Sequence, residues 1–369
     1  MRTYLTAFLL IVTIIAPATA HSAADEELDI MIGQMLMVGF RGYSASEDAP
    51  VIRDITQYHV GGVILFDKDM SRWYNRKRNI RSPKQVASLT ESLQSAADIP
   101  LFIAVDQEGG NVQRLKAKYG FPPTPSAQTL GKQDDAAVHK AARSIASTLD
   151  AAGFNMNFSP VADVNVNPNS PAIGKIGRSF SSDPSRVTRC NAIFLEAFAQ
   201  QGIVGSLKHF PGHGSAGADS HYGVTDVTNT WSESELIPYR TLIGNGSVQM
   251  IMTAHIFNGK LDPIYPATLS KAIITGLLRE RLGFNGVVIT DDMDMRAITD
   301  AFGRAKAIQL AIEAGADILL FGNNITFDED VAPKAHGIIK ELVETGVISR
   351  KRISRSYDRI MRLKNTLKQ

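Results

Sequence analysis

The chain has 369 residues, with 39 Lys and Arg against 37 Asp and Glu, a formal net charge of +2 and 44% hydrophobic residues. Near-neutral charge argues against a general nucleic-acid surface, and the length suits one large α/β domain that buries a core without covalent staples. The single cysteine, Cys190, excludes an internal disulfide and shares helical spacing with Val187, Phe194 and Phe198, which reads as a buried structural thiol.

Residues 1–20, MRTYLTAFLLIVTIIAPATA, carry a positive charge at Arg2, an apolar run from Leu5 to Ile15, and Ala18-Thr19-Ala20 before His21. That order reads as a secretory signal peptide cleaved near Ala20, leaving 21–369 as a mature domain that is secreted or periplasmic. The competing reading is an uncleaved anchor. The apolar run is short for a span, so no stable membrane insertion is expected. No cysteine lies near the cleavage point, which argues against a lipoprotein.

Eight short apolar runs follow: MLMVGF (35–40), GVILF (62–66), LFIAVD (101–106), MNFSPVADV (156–164), VGSLKHF (204–210), MIMTAHI (250–256), GVVITDD (286–292) and DILLFG (317–322). Between them lie amphipathic stretches such as SPKQVASLTESLQSAAD, DDAAVHKAARSIASTLDAAG, PSRVTRCNAIFLEAFAQQG and KAIITGLLRERLG. The third opens on Pro184 and ends at Gly202, a proline and a glycine at the ends that suit them. Continuous apolar strands alternating with helices imply a parallel sheet covered by helices, and eight such units imply a single (β/α)8 TIM-like barrel with loop insertions. A doubly wound open sheet is the alternative, weakened because no G-x-G-x-x-G follows an early strand. The segment SRWYNRKRNIR (71–81) joins Arg72, Arg76, Lys77, Arg78 and Arg81 to Trp73 and Tyr74. It reads as a solvated loop or as the rim of a binding site. The terminal SRKRISRSYDRIMRLKNTLKQ reads as a basic, amphipathic closing helix.

A barrel sorts its functional residues to the ends of its strands. Asp106, Asp163, Lys208-His209, His255, Asp291 and Asp292 all fall there. Carboxylates and bases gathered on one face are suited to acid–base or nucleophilic work. The stretch KHFPGHGSAGADSH (208–221) then becomes the loop after the fifth strand. Gly212, Gly214 and Gly217 are expected to make it mobile, and Asp219 is spaced to orient His221. Metal binding is the other reading. His209-x-x-x-His213 is interrupted by proline and glycine, and none of the histidines forms a His-x-His pair, so no metal or cofactor is expected.

The blocks AVDQEGGNVQRL, NFSPVADV, IGRSF, KHFPGHG…ADSH, TAH and GFNGVVITDDMDM resemble glycoside hydrolase family 3, most closely its bacterial β-N-acetylglucosaminidases, from about Gly33 to Asn323. The resemblance implies that Asp291 is the nucleophile of a covalent glycosyl-enzyme, with Asp292 its nearest competitor. It implies that His221 is the acid/base and Asp219 its partner. Asp106, Arg114, Arg178, Lys208 and His209 match residues that hold the sugar in the innermost subsite, with Asp163 a supporting carboxylate. The expected substrate is a glycan with terminal β-linked N-acetylglucosamine, such as a peptidoglycan fragment or chitin oligomer, cleaved with retention. No obligate protein partner is evident.

The resemblance leaves three alternatives: a β-glucosidase or mixed exo-glycosidase, a β-N-acetylglucosaminide phosphorylase, and a non-catalytic glycan-binding barrel. Cell-wall-recycling relatives are usually cytoplasmic, whereas this chain opens on an apparent leader, which points to a glycan outside the cytoplasm. No second domain is read after the barrel, and this favours the single-barrel hexosaminidase group over the two-domain β-glucosidases.

Overall fold

The computed structural model describes residues 23–69, 77–219 and 223–367. The leader read over 1–20, residues 71–76 of the basic segment, and His221 lie outside the described residues.

Eight strands form the barrel: β1 (Leu36–Gly39), β2 (Gly62–Leu65), β3 (Phe102–Val105), β4 (Met156–Asn157), β5 (Val204–Phe210), β6 (Met250–Thr253), β7 (Val287–Ile289) and β8 (Leu319–Phe321). Every residue in them is buried, as a sheet covered on both faces requires. Neighbours are parallel, in the order β7-β6-β5-β4-β3-β2-β1-β8. The ring closes through a parallel bridge between Ile289 and Ile318, where Thr290 N–H donates to Ile318 O at 3.0 Å.

Helix α1 (Ala23–Gln34) precedes β1. The crossovers carry α2 (Pro50–Thr56), α3 (Pro83–Ser95), α4 (Asp135–Ala151), α5 (Pro184–Gln200), α6 (Ile237–Gly244), α7 (Ala272–Arg281) and α8 (Arg304–Ala314). Helices α9 (Val331–Glu344) and α10 (Arg350–Lys364) follow β8. Side-chain caps start several of them: Ser82 accepts from Gln85 N–H at 3.3 Å and Asp134 from Ala137 N–H at 2.9 Å. Among the described residues no helix is long and apolar enough to cross a membrane.

Two expected strands are shorter than their apolar runs, and one helix winds differently. The run 156–164 yields only two strand residues, because Pro160 removes a ladder donor. The run 250–256 leaves the ladder at Thr253. Helix α7 winds as a π-helix, with Leu282 N–H reaching Leu277 O at 3.0 Å. Cys190 is buried in α5, and burial pushes its thiol up to about 11, so it stays protonated and inert.

At the amino-terminal mouth of the barrel, Lys364 of α10 is buried. Its ammonium donates to Gln34 Oε1 at 2.6 Å and to Gly61 O at 2.8 Å, and lies 4.9 Å from the centre of the Phe102 ring. The closing helix is thereby fastened to the starts of β1, β2 and β3.

Candidate active site

The opposite, carboxyl-terminal mouth holds a cavity of about 360 Å³. Asp106, Arg114, Arg178, Lys208, His209, Asp219 and Asp291, all singled out in the sequence, line it, together with Asp292 and His213. Asp106 follows β3 and Asp291 follows β7. These strands are diametrically opposed in the barrel order, so the two carboxylates stand on facing walls.

The β3 wall is built first by side-chain amides that grip the backbone. Asn157 of β4 accepts from Gln107 N–H and donates to Gln107 O, both at 3.0 Å. Gln107 Oε1 in turn accepts from Arg114 N–H at 3.1 Å and Leu115 N–H at 3.0 Å. This pins the 107–115 excursion and fixes Asp106 at its base. Arg114 Nη2 donates to Asp106 Oδ2 at 3.1 Å, and the guanidinium lies 5.3 Å from the Phe66 ring centre. Lys208 Nζ donates to Asp106 Oδ1 at 3.0 Å. Burial alone raises a carboxyl pKa, but the Lys208 and Arg114 cations hold Asp106 well below the carboxylate range.

Glu108 is the residue that sequence reasoning missed. It is buried beneath the cavity, where Arg178 grips it through two bonds, Nη2 to Oε1 at 2.7 Å and Nε to Oε2 at 2.8 Å. Lys208 Nζ reaches the same Oε1 at 2.7 Å. The available signal is the Asp106-x-Glu108 spacing, which turns both carboxylates to one side of an extended chain. Burial opposes ionisation of Glu108, and Arg178 and Lys208 override it, so its pKa falls.

Consecutive strand residues normally face opposite ways, yet Lys208 and His209 both reach the cavity. The pairing of β5 with β6 shifts register between Leu207 and Phe210, which frees this stretch from simple alternation. His209 Nδ1 lies 2.7 Å from Asp163 Oδ2, and its Nε2 lies 3.2 Å from Arg178 Nη2. Asp163 Oδ1 accepts the amides of His209 at 3.1 Å and His213 at 2.8 Å. Asp163, read from the resemblance as a supporting carboxylate, is fully buried and reaches the cavity through His209 and the loop backbone. Burial raises its pKa, but the electrostatic pull and hydrogen bond of the His209 ring, with the His213 amide, outweigh that and hold it at about 2. Burial pushes the His213 imidazole down to about 4, so it is neutral at neutral pH.

The glycines of the 208–221 stretch divide by purpose. A Cβ on Gly214 would sit 1.7 Å from Val164 O, and one on Gly212, at φ +124°, would sit 2.6 Å from Glu235 Cβ. These two serve close packing, not the mobility expected of them. Gly217 alone of the three has no atom of the described residues within 4 Å of such a Cβ. Glu235 Oε2 accepts from Gly214 N–H at 2.9 Å and anchors the base of the loop. Asp219 is partly buried at the cavity edge, two residues short of His221.

On the β7 wall, Asp291 Oδ1 accepts the Asp292 amide at 2.8 Å. Asp292 Oδ1 is committed to two amides, Gly322 N–H at 2.8 Å and Asp294 N–H at 3.0 Å. Burial, reinforced by Asp294, raises the Asp292 pKa. His255, also read as a strand-end residue, is buried outside the cavity lining. Its Nε2 donates to Asp292 O at 2.9 Å and steadies the backbone beside Asp291.

The rim expected of 71–81 does not extend to Arg78, whose side chain is fully buried. Arg78 donates to Asp69 Oδ1 at 3.1 Å, to Asn323 O at 2.7 Å and to Phe40 O. Three carbonyl or carboxylate acceptors hold it inside the protein, where it ties together the loops after β1, β2 and β8.

The profile of the glycosyl hydrolase family 3 N-terminal domain matches residues 27–363. "Beta-hexosaminidase A" of Pseudoalteromonas piscicida is 36% identical across 95% of this chain and 64% of its own length. "Beta-N-acetylglucosaminidase/beta-glucosidase" of Cellulomonas fimi is 32% identical across 84% of this chain and 53% of its own. Among solved structures, a glycoside hydrolase family 3 β-N-acetylglucosaminidase from Paenibacillus superposes with a TM-score of 0.83 and 38% identity, over 92% of this chain and 62% of that one. The chain thus spans less than two thirds of the length of these three proteins. A closed eight-stranded parallel barrel, a polar cavity at its carboxyl-terminal mouth and a profile match over nearly all the described residues lead to one conclusion: the chain belongs to glycosyl hydrolase family 3.

Proposed function

We propose that the protein is a retaining exo-β-N-acetylhexosaminidase that removes terminal β-linked N-acetylglucosamine from peptidoglycan fragments or chitin-type oligosaccharides. One observation carries this reading: a carboxylate, Asp291, faces a bed of cations and hydrogen-bonding groups across a sugar-sized cavity. Asp291 attacks the anomeric carbon as the glycosidic C–O bond breaks, and His221 delivers a proton to the departing oxygen. His221, now neutral, takes a proton from water, which displaces Asp291 from the sugar and restores the configuration. Asp219 orients His221. Arg114, Arg178, Lys208, His209 and Asp106 engage the sugar hydroxyls.

Asp291 suits the nucleophile better than Asp292, because Asp292 spends one carboxylate oxygen on two amides and is pushed toward the protonated form. The leader over residues 1–20 supports an extracytoplasmic substrate and a mature chain from His21.

The test compares kcat/KM for nitrophenyl β-N-acetylglucosaminide and nitrophenyl β-glucoside. A strong preference for the N-acetyl sugar supports the reading, and a preference for glucoside overturns the substrate. Similar rates on both favour a second reading, a mixed exo-glycosidase, which the dual name of the Cellulomonas fimi relative makes specific. The stereochemistry of the first-formed sugar, followed by NMR, decides retention.

A further inference from the structure

Glu108 has no contact with the cavity, yet two of the cations that line it are bonded to its carboxylate. Arg178 Nη2 and Lys208 Nζ meet at a single oxygen, Oε1, each at 2.7 Å. Arg178 is fixed on all sides: two bonds to Glu108, one from Nη1 to Ala172 O at 3.0 Å, and the contact with His209 Nε2. Lys208 is bracketed by Glu108 and Asp106. Two like charges this close in a buried place repel unless a shared anion lies between them. The arginine fork also needs a planar acceptor to set its direction.

We propose that Glu108 is a positioning residue for sugar binding: its carboxylate holds Arg178 and Lys208 side by side so that their remaining N–H groups point into the cavity. The proposal rests on the glycosidase reading above. Glu108 neither touches the sugar nor moves a proton. It acts through the two cations, so its removal weakens the grip on the sugar ring in the ground state and in the transition state alike. Uniform loss of binding raises KM and leaves kcat nearly unchanged. A general packing role predicts the reverse, a smaller active fraction with lower kcat, an unaltered KM and a lower melting temperature.

Two variants test this. Glu108→Gln keeps the shape and removes the charge, and Glu108→Asp keeps the charge and shortens the reach. The probes are nitrophenyl β-N-acetylglucosaminide for turnover and free N-acetylglucosamine for binding by calorimetry. Glu108→Gln is expected to raise KM and the N-acetylglucosamine Kd about 10-fold or more, with kcat within about 3-fold of the parent. Glu108→Asp is expected to recover part of the affinity, and it carries the test alone if the amide variant does not fold. Wild-type KM in the variants, or a loss confined to kcat and thermal stability, overturns the proposal while the glycosidase reading stands. If the parent protein neither turns over the substrate nor binds the sugar, the reading fails and the proposal falls with it.

Discussion

Asp163 dictates where the proton sits on His209. The carboxylate accepts Nδ1–H at 2.7 Å, which leaves Nε2 as the acceptor for the Arg178 guanidinium at 3.2 Å. A ring nitrogen facing an arginine must carry a lone pair, because arginine offers only donors. Asp163→Asn places an amide group where the carboxylate was. If its nitrogen faces Nδ1, the imidazole proton moves to Nε2 and meets Arg178 head-on. The loss of one charge-assisted hydrogen bond, about 1.5–3 kcal/mol, corresponds to a fall in kcat/KM on the order of 10- to 100-fold. Steady-state kinetics beside a thermal melt measures it, and a variant within 2-fold of the parent contradicts the role.

The adjacent carboxylates separate in a parallel experiment. Asp291→Asn is expected to lower kcat by ~10³-fold or more, as removal of a nucleophile does. Asp292→Asn keeps an oxygen for the Gly322 and Asp294 amides and is expected to lose less than about 10-fold. Mass spectrometry of an enzyme trapped with a slow fluorinated N-acetylglucosaminide locates the adduct. A label on Asp292 reverses the assignment.

The glycines of the loop after β5 give a stability contrast. Gly214→Ala drives a methyl group into Val164 O, a backbone atom that cannot swing away, and is expected to cost about 1–3 kcal/mol or more. Gly217→Ala meets nothing within 4 Å among the described residues and is expected to leave urea unfolding unchanged. Equal midpoints for the two variants contradict the packing role of Gly214.

Glu235 sets a pH dependence. Burial, with a further push from Asp163, raises its pKa from 4.5 to about 8, against hydrogen bonds from Ser215 and Gly214. The folded state therefore holds the proton more tightly than the unfolded chain. This contribution to stability is complete below pH 4.5 and fades as the pH rises towards 8. At most ~1.4 kcal/mol is lost per pH unit from one such group. Glu235→Gln has no proton to lose there, so its melting temperature is expected to fall less steeply than the parent's across that window. A parallel pair of curves shows that Glu235 is not the group responsible.

Much of this was legible in the sequence because it depends on local pattern. Asp106, Lys208 and Asp291 end apolar runs, and a parallel barrel brings the ends of its strands to one face. Glu108 was not legible as a hub, since its meaning comes from Arg178, which is seventy positions further on. Arg78 misled for a related reason: a basic run looks solvated until the three loops that bury one of its members are seen together. Gly212 and Gly214 show that a glycine read as freedom of movement can mark the opposite, a place where two pieces of chain touch.

Arg114, Asp106, Lys208, Glu108, Arg178, His209, Asp163 and the His213 amide form one unbroken chain of contacts across the floor of the cavity. Each member is held by the neighbour on either side, so a single replacement leaves at least one buried group unmatched. Replacing one member without its neighbour therefore breaks the floor, and a matched pair of changes is what it tolerates. Changes in what the protein accepts then fall more easily on the loops around the mouth, where Lys68 and Ile325 line the cavity outside this chain of contacts.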